Sequence, residues 1–225
     1  MVAATPGLKH EQALWARGLR AVAGLDEAGR GAWAGPVVAG AVVLPPERDD
    51  LLAALDGVRD SKLCSARQRE ALYPVVLEVA AAAGVGVASA REVEALNVVG
   101  ATRLAMARAL EALAAQAPTL LIRGATLRLP AVHPPQHSFK EGEKVSLSIA
   151  AASILAKVTR DRLLVELDAQ YPGYGFAQHK GYGTAYHQQM LARHGPCDIH
   201  RRTYTPIRAS LFDALDGGAE DCDDA

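Results

Sequence analysis

The chain has 225 residues, half of them hydrophobic and only 5% aromatic, with a formal net charge of −1. That length supports one large domain, or a domain with an appendage, around a full apolar core. No apolar run reaches membrane-span length, the first ten residues lack a signal-peptide pattern, and Cys64, Cys197 and Cys222 have neither disulfide-framework nor metal-ligand spacing. These features speak against a membrane-embedded or disulfide-rich secreted protein and lead us to expect a reducing, cytoplasmic setting.

The elements read in chain order as follows. A short helix is expected within residues 1–18, with Leu8, Leu14 and the following Leu19 partly periodic. Arg20–Glu27 reads as a buried strand and Pro36–Leu44 as its neighbour. Arg48–Asp60 is a polar connection with a helical turn. Ser65 suits the N-cap of a helix to about Ala83, with Leu72, Val75, Val76 and Val79 as its apolar stripe and Gly84 as its stop. Val85–Ser89 suits a strand, and Val98–Ala115 an alanine-rich helix with Leu104, Ala107, Leu110 and Leu113 on related faces. Thr119–Ile122 is a short buried strand, and a loop with prolines and histidines follows Pro130. Val145–Gln170 reads as one long helix, whose small apolar run Ser148–Lys157 suits close packing on a sheet. Tyr171–Arg208 is rich in Gly, His and Tyr, with a helix around Ala185–His194. Strands alternating with helices predict an α/β fold. The expected division is a core over 1–170, a C-terminal helical region over 171–208 and an unstructured acidic tail over 209–225. Six acids and no Lys or Arg fall in that tail, so the remainder carries 24 basic against 19 acidic residues. A near-neutral total thus conceals a basic body.

The chemistry concentrates in Gly24-Leu25-Asp26-Glu27-Ala28-Gly29-Arg30-Gly31, set between apolar strands. Adjacent carboxylates at an apolar strand end are costly, and a divalent cation would relieve the cost. Glycines allow close backbone approach to a ligand and positive φ. The block reads as a metal site beside a phosphate- or sugar-binding turn. His179, His187, His194 and His200 do not have the spacing of a compact zinc site, and are expected to be surface and capping residues.

This block resembles the N-terminal signature of the type 2 ribonucleases H, the bacterial ribonuclease HII family. The resemblance continues in order through Asp60-Ser61-Lys62-Leu63, the helix Ser148–Asp161, His179-Lys180-Gly181-Tyr182-Gly183-Thr184 with His187, and His200-Arg201. It covers roughly residues 20–205. It implies a ribonuclease H-like mixed sheet flanked by helices, with residues 1–170 as the catalytic core and 171–208 completing the substrate site. It also implies a two-metal endonuclease using Mg²⁺ or Mn²⁺. The partners implied are RNA/DNA hybrids and duplex DNA with single embedded ribonucleotides, cut on the 5′ side of the ribonucleotide. A monomer with no membrane association is expected.

Four carboxylates are expected of this family. Asp26 and Glu27 fill two positions. Glu143, in Glu141-Gly142-Glu143, stands where the family usually has Asp in Lys-Gly-Asp, and remains an oxygen ligand. The last position lies at the end of the strand Leu120–Ile122, yet no acid occurs between Glu111 and Glu141. Anchoring on Leu127-Arg128-Leu129-Pro130 puts Ala125 there, 18 positions before Glu143; anchoring on the strand and Gly124 puts Arg123 there instead. Ala125 is the preferred register. The chain is therefore expected to be impaired, and the alternative is a catalytically silent hybrid-binding protein. For substrate, the resemblance implies Gly29, Arg30 and Gly31 at the ribose 2′-hydroxyl, Tyr182 at the following sugar, and Lys62, Lys180, Lys157, Arg160 and Arg201 along the nucleic-acid backbone.

Overall fold

The computed structural model describes residues 6–113, 119–123, 127–130 and 134–216. Five strands form one sheet: β1 (Val22–Ala28), β2 (Val37–Val43), β3 (Ala82–Ala88), β4 (Thr119–Arg123) and β5 (Gln136–Phe139), in the order β3-β2-β1-β4-β5. β1, β2 and β3 pair antiparallel, whereas β4 runs parallel to both β1 and β5. The helices are α1 (Lys9–Trp15), α2 (Leu51–Ala54), α3 (Ala66–Val79), α4 (Ala90–Glu111), α5 (Leu147–Gln170), α6 (Phe176–His179), α7 (Ala185–His194) and α8 (Thr205–Asp216). This is the mixed sheet flanked by helices that the sequence implies.

Strand alternation divides the core in two. Ala23, Leu25, Ala39 and Ala41 pack with Val93, Ala105, Met106 and Ala109 of α4. On the other face Val42 packs with Ala150, Ala151 and Ile154 of α5, backed by Val76 and Val79 of α3. The α5 backbone rests almost directly on the sheet because glycines face it. A Cβ at Gly24 would stand 2.3 Å from the Ser148 carbonyl carbon, and one at Gly40 2.4 Å from the Ala152 carbonyl oxygen. The buried Glu11 fixes the start of α5. Its Oε1 accepts the Ser148 N–H at 3.0 Å and the hydroxyls of Ser146 and Ser148 at 2.6 Å each, a negative group at the positive end of a helix.

Several boundaries differ from the sequence expectation. α3 keeps its Ser65 cap, in a capping box with Gln68, but ends at Val79. Ala82, Ala83 and Gly84 instead open β3, where pairing with Val43, Val42 and Ala41 overrides the helix preference of alanine. α4 starts earlier, at a Ser89–Glu92 capping box, and is interrupted at Asn97. Its buried face is made by Ala101, Ala105, Met106 and Ala109, with Leu104 and Leu110 only partly buried. β5 lies inside the expected loop; four residues at a sheet edge carry too little pattern to read. α8 continues to Asp216, into the segment expected to be an unstructured tail. Residues 217–225 lie outside the described residues. Among the described residues no helix is long and apolar enough to cross a membrane.

Candidate active site

Asp26 and Glu27 occupy the last turn-facing part of β1. Strand alternation puts Asp26 on the α5 face with Gly24, and Glu27 on the α4 face with Leu25. The backbone thus separates two acids that sequence adjacency suggests would repel directly. Asp26 is 4% exposed, and its Oδ1 accepts the Glu27 N–H at 2.8 Å. The Glu27 side chain is 3% exposed and lies 3.5 Å from Arg30 Nη1. Glu143 is 2% exposed, in a 3-10 turn (Gly142–Lys144) that packs against α5 and β4 just before α5 begins.

Three buried carboxylates are costly without cationic compensation. All are hard oxygen donors, the set preferred by Mg²⁺ and Mn²⁺. Among the described residues, no three His, Cys, Asp or Glu side chains are gathered closely enough to hold an ion. The fit to a metal is therefore one of donor chemistry and burial. Leu25 pairs with Ile122, so the backbone of Arg123 follows on beside Asp26 in the parallel register. Ala125 lies outside the described residues. Of the two positions considered for the absent acid, Arg123 is the one the described strand brings alongside Asp26.

The Gly-Arg-Gly turn owes its shape to two arginines that the sequence reading assigned to nucleic acid. Both Arg160 and Arg201 are fully buried, which corrects that reading. Gly29 has φ +94°, and a Cβ there would meet Arg160 Nε at 2.0 Å. Arg160 donates to the carbonyls of Pro36 (2.9 Å), Lys180 (2.9 Å) and Ala34 (3.1 Å). Arg201 donates to the carbonyls of Gly35, Arg30 (3.0 Å) and Ala32 (2.7 Å). A guanidinium fork, with five N–H donors fixed in one plane, satisfies several converging loop carbonyls at once. Burial pulls the Arg160 guanidinium down to about 10, still well above neutral pH, and lowers that of Arg201 too.

These contacts tie the turn to the later segments. Trp33 and Ala34 donate their N–H groups to the Gly181 carbonyl at 2.8 and 3.2 Å, and Arg201 N–H donates to the Trp33 carbonyl at 2.8 Å. Gly29, Arg30, Gly31, Lys180 and Tyr182 therefore belong to one hydrogen-bonded block. The Tyr182 ring is half-buried, 5.3 Å from Lys157 Nζ and 5.2 Å from the Arg160 guanidinium carbon. Lys157 also pairs with Asp161 at 2.6 Å, and Lys180 Nζ donates to the Ala177 carbonyl. Lys62 is exposed on a separate 3-10 turn (Ser61–Leu63), docked on α5 through Ser61 N–H to Ser153 Oγ at 3.2 Å.

The histidines also need correction. His194 is exposed, but His179, His187 and His200 are buried and clustered. The rings of His179 and His187 stack at 4.2 Å, and His187 Nε2 lies 3.1 Å from His200 Nε2. Cys64 and Cys197 are free thiols.

A mixed sheet with helices on both faces, carrying buried acids on its central strand, places the protein among the ribonucleases H in fold. The structure is similar to the ribonuclease H2 of Pyrococcus horikoshii OT3, with a TM-score of 0.72 and 25% identity over 85% of this chain and 97% of that one. It shares its fold with Bst-RNase HIII in complex with Mn²⁺ (TM-score 0.69, 19% identity, 87% of this chain and 70% of that one). In sequence, residues 23–207 match the family model for Ribonuclease HII. Ribonuclease HII of Syntrophotalea carbinolica is 54% identical across 91% of this chain and 94% of its own, and that of Chloroflexus aggregans 51% identical across 94% and 99%. The chain belongs to the ribonuclease HII family, and is a hydrolase of the ribonuclease H class.

Proposed function

We propose that the protein is a divalent-metal-dependent endonuclease that recognises a ribonucleotide within a duplex and cleaves on its 5′ side. It would also act on the RNA strand of RNA/DNA hybrids. The observation that carries this reading is the union of the Gly29-Arg30-Gly31 turn and Tyr182 in one block. Backbone and Arg30 groups of the turn would meet a ribose 2′-hydroxyl, the atom that separates RNA from DNA. Tyr182 would contact the next sugar. Lys180 and Lys62, with Lys157, would meet phosphates, which position the duplex without reading sequence.

By donor chemistry and burial rather than by their present spacing, Asp26, Glu27 and Glu143 are the acids that would hold the metal, Mg²⁺ or Mn²⁺. When bound it supplies Lewis-acid stabilisation of the phosphoryl oxygens and a water acidic enough to attack. The chain's own groups orient the phosphodiester and exclude bulk water. We place the work in the cytoplasm and in a monomer. A second reading is favoured by one specific observation: neither Arg123 nor Ala125 is an acid. With one ligand short, the protein would bind ribonucleotide-containing duplexes and turn them over slowly, or only hold them. Incubation with a duplex carrying one ribonucleotide, beside the same duplex in all-DNA form, separates these outcomes. Incision confined to the first supports the nuclease; selective binding without incision supports the silent binder.

A further inference from the structure

The buried histidines form a directed chain that ends on Tyr182. At one end, the Cys197 backbone N–H points to His200 Nδ1 at 2.9 Å. A backbone N–H only donates, so Nδ1 accepts and the His200 proton sits on Nε2. At the other end, His187 Nδ1 lies 3.0 Å from the Tyr182 carbonyl oxygen. A carbonyl only accepts, so His187 carries its proton on Nδ1 and leaves Nε2 as an acceptor. The two rings meet Nε2 to Nε2 at 3.1 Å, which needs one proton between them. The two ends independently demand the same arrangement: His200 donates to His187. Both rings must be neutral for the chain to close, since a second proton would set N–H against N–H.

His179 supports the same turn from below. It accepts the Gly181 N–H at Nδ1 (3.1 Å) and so donates from Nε2 to the Tyr174 carbonyl (2.8 Å). The surroundings match neutral rings: Phe176 edges both His187 and His179, and Trp33 lies 5.4 Å from His187.

We propose that His187 is a positioning residue for Tyr182, holding its backbone through an Nδ1–H bond whose direction His200 fixes from behind. This inference rests on the reading of Tyr182 as the sugar-facing residue. The only other donor the described contacts bring to the Tyr182 carbonyl is the Thr184 N–H at 2.9 Å. Removing the imidazole donor would leave the Tyr182 carbonyl on the Thr184 N–H alone, with the residue's own N–H still on the His179 carbonyl at 3.0 Å, and loosen the ring's seat beside Lys157 and Arg160.

The experiment compares affinity for a labelled duplex with one ribonucleotide against the same all-DNA duplex, in EDTA so that the proposed metal-dependent cleavage does not consume the probe. His187→Asn keeps a nitrogen donor at the δ position and should preserve the ratio. His187→Gln is closer in size and keeps an acceptor for His200, but offers Tyr182 no δ donor; it should lower the ratio by about fivefold or more, the scale of a lost nucleotide–aromatic contact. Tyr182→Ala should lower it as much. Equal ratios for His187→Gln and the unaltered chain, with Tyr182→Ala impaired, would overturn the positioning role while leaving Tyr182's reading intact. An unchanged ratio in Tyr182→Ala would overturn both. A second measurement needs no variant: ¹⁵N NMR of labelled histidines in the intact protein should find His187 protonated on Nδ1, and His179 and His200 on Nε2. The opposite tautomer at His187 would overturn the inference.

Discussion

Arg160 Nη1 donates to the Lys180 carbonyl at 2.9 Å, and this bond joins the long helix α5 to the segment that presents Tyr182. The same guanidinium reaches Ala34 and Pro36 just past the Gly-Arg-Gly turn. One helix residue therefore sets the spacing between the two elements proposed to read the sugar.

Arg160→Met should accordingly be strongly destabilising. It leaves the carbonyls of Pro36 and Ala34 and the part-buried carbonyl of Lys180 without this donor, at about 1–3 kcal/mol for each group left unsatisfied, so a total loss of about 3–9 kcal/mol is expected in urea unfolding. Arg162→Met is the control, since that exposed residue pairs with exposed Glu70 and should cost no more than about 1 kcal/mol. Equal effects would show that Arg160 is not the clasp.

The histidine cluster predicts an acid-sensitive fold. Burial pulls His187 and His200 from 6.5 to about 4. Each folded-state value lies below the unfolded one, so the unfolded chain binds more protons between pH 6.5 and about 4. Stability from these rings is complete above pH 6.5 and is lost progressively as pH falls to about 4. Thermal melting should follow that slope, and His187→Asn should flatten it. A melting temperature constant from pH 6.5 to 4.5 would contradict the assignment.

Tyr182→Ala should reduce cleavage at a single embedded ribonucleotide by about tenfold, as befits an aromatic contact of about 1–3 kcal/mol. Its binding to an all-DNA duplex should change little, because phosphate contacts carry that term. Equal losses would mean that the ring only supports the fold.

Much of the site was legible because its elements are local. Asp26, Glu27 and the glycine turn are contiguous, and the small run on α5 announced close helix–sheet packing. The two buried arginines were misread because an isolated Arg ordinarily lies on the surface. A signal existed: Ser148, Ala152, Ala156 and Arg160 repeat every four residues on the stripe that faces Gly24, Gly40 and Gly29. The histidine cluster was invisible for a different reason. Its members come from α6, α7 and the following loop, and only tertiary packing brings them together.

The absent acid offers a test of register. The sequence spacing favours Ala125, whereas the β1–β4 pairing brings the backbone of Arg123 beside Asp26, and the pairing predicts the following order. Arg123→Asp should raise cleavage by about tenfold or more, the scale of one recovered electrostatic stabiliser. Ala125→Asp should raise it less. The reverse order would show that spacing to Glu143 governs.

The most direct measurement is incision of a duplex with one ribonucleotide, with Mn²⁺ or with EDTA, by the unaltered chain, Arg123→Asp and Arg123→Asp/Asp26→Asn. The account predicts Mn²⁺-dependent incision immediately 5′ of the ribonucleotide, slow in the unaltered chain, faster with the added acid, and lost when Asp26 is neutralised. Incision that persists in EDTA or without the Asp26 carboxylate would contradict it.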